Sequence, residues 1–173
     1  GLGRQHALAL AARGARVEVV PNGVDAAWWH QGGDATASAP HDGSVHVVSA
    51  MRLVSRKRPL AMLRVLEQAR CVLDPAVDLR ATIVGEGPQR RVMEYRLRTL
   101  GLDWVDLPGR VTKAELRALH QGADLYLSAA LLEAFGIAAL EAQAAGLPIL
   151  ARRGTGTDDV VQDGVSGLLA DSD

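Results

Sequence analysis

Between residues 45 and 170 short apolar runs alternate with stretches of helical periodicity, and this alternation is what most restricts the fold. Val45–Ala50, Leu79–Val84, Val105–Leu107, Asp124–Ser128, Pro148–Ala151 and Gly167–Ala170 read as strands. Between them, Pro59–Leu73, Pro88–Leu100, Lys113–His120, about 135–145 and Asp158–Gln162 read as helices. Pro59 suits a first helical turn, and Gly101 stops the second helix. Thr112 followed by Glu115 is a capping box. Strands separated by helices of this length form βαβ units around a parallel sheet, with right-handed crossovers.

The predicted class is therefore α/β, a Rossmann-like doubly wound parallel sheet. Such sheets take ligands at the carboxyl ends of their strands, which directs attention to 51–58, 85–90, 108–112, 128–136 and 152–157. Ahead of this pattern, 5–12 reads as a helix, Val17–Val20 as a strand and Pro21-Asn22-Gly23 as a turn. Residues 31–44 are rich in Gly, Asp, Ser, Thr and Pro, with no apolar periodicity, and read as a linker.

The segment Glu133-Ala-Phe135-Gly136-Ile137-Ala138-Ala-Leu-Glu141 places one carboxylate just before a helix and another two turns into it. A helix N-terminus presents unpaired N–H groups and the positive end of the dipole, so it attracts anions such as phosphate. Carboxylates repel phosphate but accept protons from hydroxyls. Phosphate and hydroxyls together describe a sugar nucleotide. Taken singly, Glu133 also reads as a surface loop carboxylate, and Glu141 as a solvated helix position, though its neighbours Ala138, Ala139, Leu140 and Ala142 are apolar.

The other strand ends are individually weaker. Arg52 and Lys57 flank a turn and could clamp an anion, one by bidentate hydrogen bonds and one as a point charge; alone they read as a solvated charge run. Gly85-Glu86-Gly87-Pro88 resembles the start of a dinucleotide fingerprint, but Arg90 replaces its third glycine, and a tight strand-to-helix turn is preferred. Pro108-Gly109-Arg110-Val111-Thr112 could offer backbone to a base edge. Arg152-Arg153-Gly154-Thr155-Gly156-Thr157-Asp158 is either an ordinary turn or a loop that lets backbone approach a ligand.

Composition removes other classes. A net charge of -1 with scattered basic residues carries no nucleic-acid footprint. Only Lys57 and Lys113 among the nineteen basic residues are lysines, a bias attributed to genomic composition. Cys71, the single cysteine, cannot form an intrachain disulfide and reads as a core residue in a helical apolar pattern. No apolar run approaches the roughly twenty residues of a membrane span, and no signal peptide is visible. The five histidines do not cluster as metal ligands. Trp28 and Trp29 are expected to pack near a domain junction.

In order along the chain, Val19–Asp25, Arg52-Leu53-Val54 with Lys57, Ile83–Pro88, Glu133 to Glu141, Gly146-Leu147-Pro148 and Asp163–Leu169 resemble the C-terminal, donor-binding domain of a GT-B glycosyltransferase of the retaining family 4 (group 1). The likeness covers roughly 17–171. Met51 stands where that family often has glycine, Ala130 where serine is common, and Ala134 where the residue is often glycine; no charged group is lost.

The resemblance implies the second domain of a GT-B fold, truncated at both ends: 1–16 a remnant of the preceding domain or a linker, 17–173 the donor nucleotide-sugar-binding domain. It implies a bacterial hexosyltransferase of carbohydrate biosynthesis that moves a sugar from a nucleoside-diphosphate sugar to an unknown acceptor with retention. Arg52 and Lys57 would neutralise the donor diphosphate and Glu133 would hold sugar hydroxyls. Phe135 and the amides of Gly136, Ile137 and Ala138 would receive the donor at the helix end. Glu141 would hold the ribose, and Gly109, Arg110 and Val111 would line the base. No cofactor and no metal are implied. The partners implied are the sugar nucleotide and a missing N-terminal acceptor domain, in a cytoplasmic protein whose full-length form could associate with the inner face of the membrane. The 173-residue chain alone is expected to transfer no sugar. A GT-B sugar-nucleotide epimerase, a phosphorylase, a non-catalytic nucleotide-binding module and an NAD-dependent oxidoreductase are the competing readings, the last disfavoured by Arg90.

Overall fold

The computed structural model describes residues 8–12, 16, 18, 20, 22–31 and 43–171. Residues 8–11 are helical, the described part of the predicted 5–12 helix. The predicted strand at 17–20 lies partly outside the described residues, and Glu18 and Val20 are not in a strand. The predicted linker falls outside them at 32–42.

Helix α1 spans Ala26–His30. Strand β1 (Ser44–Ala50) leads through a 3-10 turn (Ser55–Lys57) into α2 (Pro59–Val72), then β2 (Asp78–Val84), α3 (Arg90–Leu100), β3 (Val105–Gly109), α4 (Lys113–Gln121) and β4 (Leu125–Ser128). Helix α5 (Ile137–Ala144), β5 (Ile149–Arg152), a second 3-10 turn (Gly156–Asp159) and β6 (Gly167–Ala170) complete the order. Every predicted strand from residue 45 onward is present within two residues at each end. The last predicted helix, at 158–162, is instead the 3-10 turn at Gly156–Asp159.

The strands form one parallel sheet in the order β3-β2-β1-β4-β5-β6. Both faces are covered, which is why the strands read as apolar runs rather than alternating ones. Val47 and Leu127 join one core with Leu53, Met62, Leu66, Ile83 and Met93. Their neighbours Val48 and Tyr126 join the other, with Ala139, Ala142, Ile149 and Val161. Period-two geometry thus splits β1, β4 and β5 between two cores.

Cys71 corrects its sequence reading, for it is exposed. The inward stripe of α2 runs through Met62, Leu66 and Ala69 to Leu73, and Cys71 lies two positions from either end of its last step, about 200° round the helix. Among the described residues no helix is long and apolar enough to cross a membrane.

Candidate active site

The strand order reverses direction between β1 and β4, so the chains leaving their carboxyl ends diverge and open a crevice. A cavity of about 530 Å³ fills it. Arg52, Lys57, Glu133, Phe135, Gly136, Ile137 and Ala138 all line it. A second cavity of about 530 Å³ adjoins it, sharing Ala50, Met51 and Arg52, and holds Arg110 and Val111 in its wall. Gly109 and Glu141 line neither. Gly109 ends β3, with its carbonyl accepting from the Gly85 N–H at 2.8 Å. Glu141 is half-buried on α5, its carboxyl pushed upward by desolvation and opposed by the charge of Lys113.

Backbone fit explains how each charged side chain reaches the crevice. Met51 N–H donates to the Val84 carbonyl and Leu53 N–H to that of Glu86, so the loop after β1 stays zipped to the loop after β2. That contact needs glycine: a Cβ on Gly85 would lie 1.8 Å from the Met51 oxygen, and one on Gly87 would lie 2.5 Å from the Leu53 oxygen. The glycine-rich turn therefore works as packing that aims Arg52, in line with the preferred sequence reading. Arg90, the residue that broke the dinucleotide pattern, bonds Glu86, Glu94 and the Leu107 carbonyl, holding this turn against the end of β3.

The loop that carries Glu133 is held from the other side. Gly156 N–H donates to the Glu133 carbonyl at 2.7 Å, and a Cβ on Gly156 would lie 2.3 Å from the Ala134 backbone. Gly156 thus lets one loop back onto another. Gly136 then starts α5 at φ 88° with no side-chain cap, so the helix end faces the cavity with its own backbone.

The site chain carries charges of both signs. Lys57 Nζ pairs with Glu133 Oε2, two groups 76 residues apart in sequence. Arg58, which follows, is the one described non-glycine residue at positive φ (55°), directly before Pro59, and it turns the chain from the 3-10 turn into α2. Among the described residues no group of three His, Cys, Asp or Glu side chains could hold a metal ion.

Two wall residues, Tyr126 and Ser49, carried no functional signal in sequence, and a third, Thr157, lay in a loop read there only as a backbone approach to a ligand. Tyr126 alternates with Leu125 and Leu127 and looks like core, yet it is both core and cavity floor. Its hydroxyl donates to the Ala50 carbonyl at 3.1 Å. Burial raises its ionisation well above the ordinary phenol range, and Glu133 and Glu141 push the same way. Ser49, on β1, and Thr157, in the glycine-rich loop, are buried hydroxyls of the same wall. Asn22, from the predicted turn, reaches the first cavity as well. Beneath α1, Trp29 stacks on His120, and His120 meets Tyr126 edge-on, so both tryptophans pack at this end of the sheet: Lys113 and Arg117 lie over the Trp28 ring.

A family model described as glycosyl transferases group 1 matches residues 34–173. D-inositol 3-phosphate glycosyltransferase of Pseudarthrobacter chlorophenolicus is 34% identical over 168 residues, covering 90% of this chain and 38% of that protein. A phosphatidylinositol N-acetylglucosaminyltransferase subunit of Arabidopsis thaliana is 31% identical over 160 residues, covering 92% of this chain and 34% of that protein. The chain thus spans just over a third of the length of these relatives. The crystal structure of Anabaena HepE in complex with UDP and glucose shares the fold at a TM-score of 0.75 and 22% identity, over 98% of this chain and 48% of that one.

Proposed function

Because the chain belongs to the glycosyl transferases group 1 family, we propose that it is the donor-binding domain of a glycosyltransferase, moving a sugar from a nucleoside-diphosphate sugar to an acceptor with retention. The observation that carries this reading is the crevice itself: Arg52, Lys57, Glu133 and the uncapped end of α5 line one cavity, beside a second walled by Arg110 and Val111.

The proposed chemistry follows from charge. As the glycosidic bond breaks, the nucleoside diphosphate departs and gains negative charge. Arg52, Lys57 and the backbone N–H groups at Gly136, Ile137 and Ala138 stabilise that charge, which lowers the barrier because it is larger in the transition state than in the bound donor. Two cations and a helix end supply what a metal ion would otherwise supply. Glu133 accepts from hydroxyls of the transferred sugar, Glu141 from the ribose, and the backbone around Val111 meets the base. Residues 17–173 form the proposed domain, and the acceptor belongs to the part of the relatives' length that this chain does not span.

The test is thermal shift of the chain with UDP, GDP, ADP and NAD, with UDP first because the Anabaena structure holds it. A nucleoside diphosphate raises the melting temperature by mass action. A shift with NAD alone sinks the reading. Lys57→Ala then weakens nucleoside-diphosphate binding by about 1.5–3 kcal/mol, as for a hydrogen bond to a charged group. Glu141→Ala weakens nucleoside diphosphates and spares free pyrophosphate; equal loss for both removes its ribose role.

A further inference from the structure

The ion pair between Lys57 and Glu133 joins the proposed diphosphate clamp to the proposed sugar contact. Their side chains are only 20% and 19% exposed, so neither charge is well served by water. Both residues stand on anchored backbone. The Glu133 backbone is held by Gly156, and Ala134 lies against that same glycine. Lys57 closes a 3-10 turn, its N–H donating to the Val54 carbonyl at 2.9 Å, immediately before the constrained Arg58-Pro59 step. The negative field of Glu133 also reaches the cavity floor, where it opposes ionisation of Tyr126.

From this pair we infer that Glu133 selects the sugar-bearing donor over the bare nucleoside diphosphate by competing with the diphosphate for Lys57. The inference rests on the nucleotide-sugar reading above. A diphosphate drawn to Lys57 takes over part of the lysine's charge and brings like charge beside a half-buried carboxylate. With a bare nucleoside diphosphate that carboxylate loses its partner and gains nothing. With a sugar attached, hydroxyl groups donate to it and replace the lost interaction. One ion pair thereby makes diphosphate binding and sugar binding cooperative, and it lowers the affinity of the product that must leave.

Isothermal titration of the chain with pyrophosphate, UDP, UDP-glucose, GDP and GDP-mannose tests this. Glu133→Gln keeps the side chain's size and removes its charge. It is expected to bind pyrophosphate about 3–10-fold more tightly, the scale of a partly buried ion pair. In the Lys57→Gln background the same change tightens pyrophosphate by about twofold or less, the remainder left by through-space repulsion. The affinity ratios of UDP-glucose over UDP and of GDP-mannose over GDP fall in Glu133→Gln. No tightening, equal tightening in both backgrounds, or ratios unchanged in both pairs overturns the competition. If the unaltered chain binds none of the five ligands, the nucleotide-sugar reading itself falls and takes the inference with it. Binding by the unaltered chain without tightening in Glu133→Gln defeats the inference alone.

Discussion

Gly85→Ala is expected to destabilise the chain by about 4 kcal/mol or more, placing it among the exceptional single substitutions. Two costs combine. Gly85 sits at φ 138°, where a side chain is strained by about 1–3 kcal/mol whatever the surrounding space. The added Cβ would also lie 1.8 Å from the Met51 oxygen, a backbone atom that cannot rotate away. Relief requires moving the chain at Met51, and Arg52 follows directly. Binding of pyrophosphate should therefore weaken even in the fraction that folds. Gly23 provides the control, since an added Cβ there meets nothing within 4 Å and its φ lies outside the left-handed region. Gly23→Ala should stay within about 0.5 kcal/mol of the unaltered chain. Urea denaturation checks both; a Gly85→Ala midpoint close to that of Gly23→Ala would show that the two loops are not held together as described.

The same pair of loops shows what sequence could and could not reveal. The order of the elements after residue 45, and the type of all but the last predicted helix, were legible because strands buried on both faces are written as continuous apolar runs. Helices facing one core carry a stripe. Element ends were less so. Helix α3 begins at Arg90 rather than Pro88: residues 88 and 89 form a turn in which Gln89 N–H donates to the Leu53 carbonyl of the neighbouring loop and Arg90 N–H to that of Gly87. Cys71 was misplaced because a run of apolar letters hid a stripe that had already turned away from it. The crevice was foreseeable from topology, since Arg52, Lys57 and Glu133 each follow a strand. That Lys57 and Glu133 touch was not, because two residues 76 apart share no local pattern. Tyr126 was hidden for a different reason: a strand residue beneath the crevice can serve core and cavity floor at once, and period two reports only the core.

Trp29→Ala should cost about 3–5 kcal/mol, the range for emptying a fully buried aromatic site, and should also remove an acid sensitivity. Trp29 has 0% of its surface exposed and is the buried residue of a five-residue helix. That helix is tied to α4 by Arg117 donating to the Trp28 carbonyl at 3.0 Å and Gln121 donating to the Gln31 carbonyl at 2.7 Å. Under it, His120 is 1% exposed, and burial pushes its ionisation down to about 4. In the unfolded chain the same imidazole takes up its proton near 6.5. Between those values the unfolded state binds more protons than the native one, so stability is complete above pH 6.5 and falls as pH drops toward 4. The loss from this group amounts to about 2 kcal/mol between pH 7 and 5, a window in which exposed carboxylates stay mostly ionised. Opening the Trp29 site admits water to His120, returns its ionisation toward the ordinary value and flattens that slope. His120→Phe removes the titrating group while keeping an aromatic ring against Tyr126, and it flattens the slope without the large loss at neutral pH. Urea denaturation of the unaltered chain and both variants at pH 7 and pH 5 separates these effects. Three equal slopes would mean that the acid sensitivity arises elsewhere and that His120 is not held neutral by the ring above it.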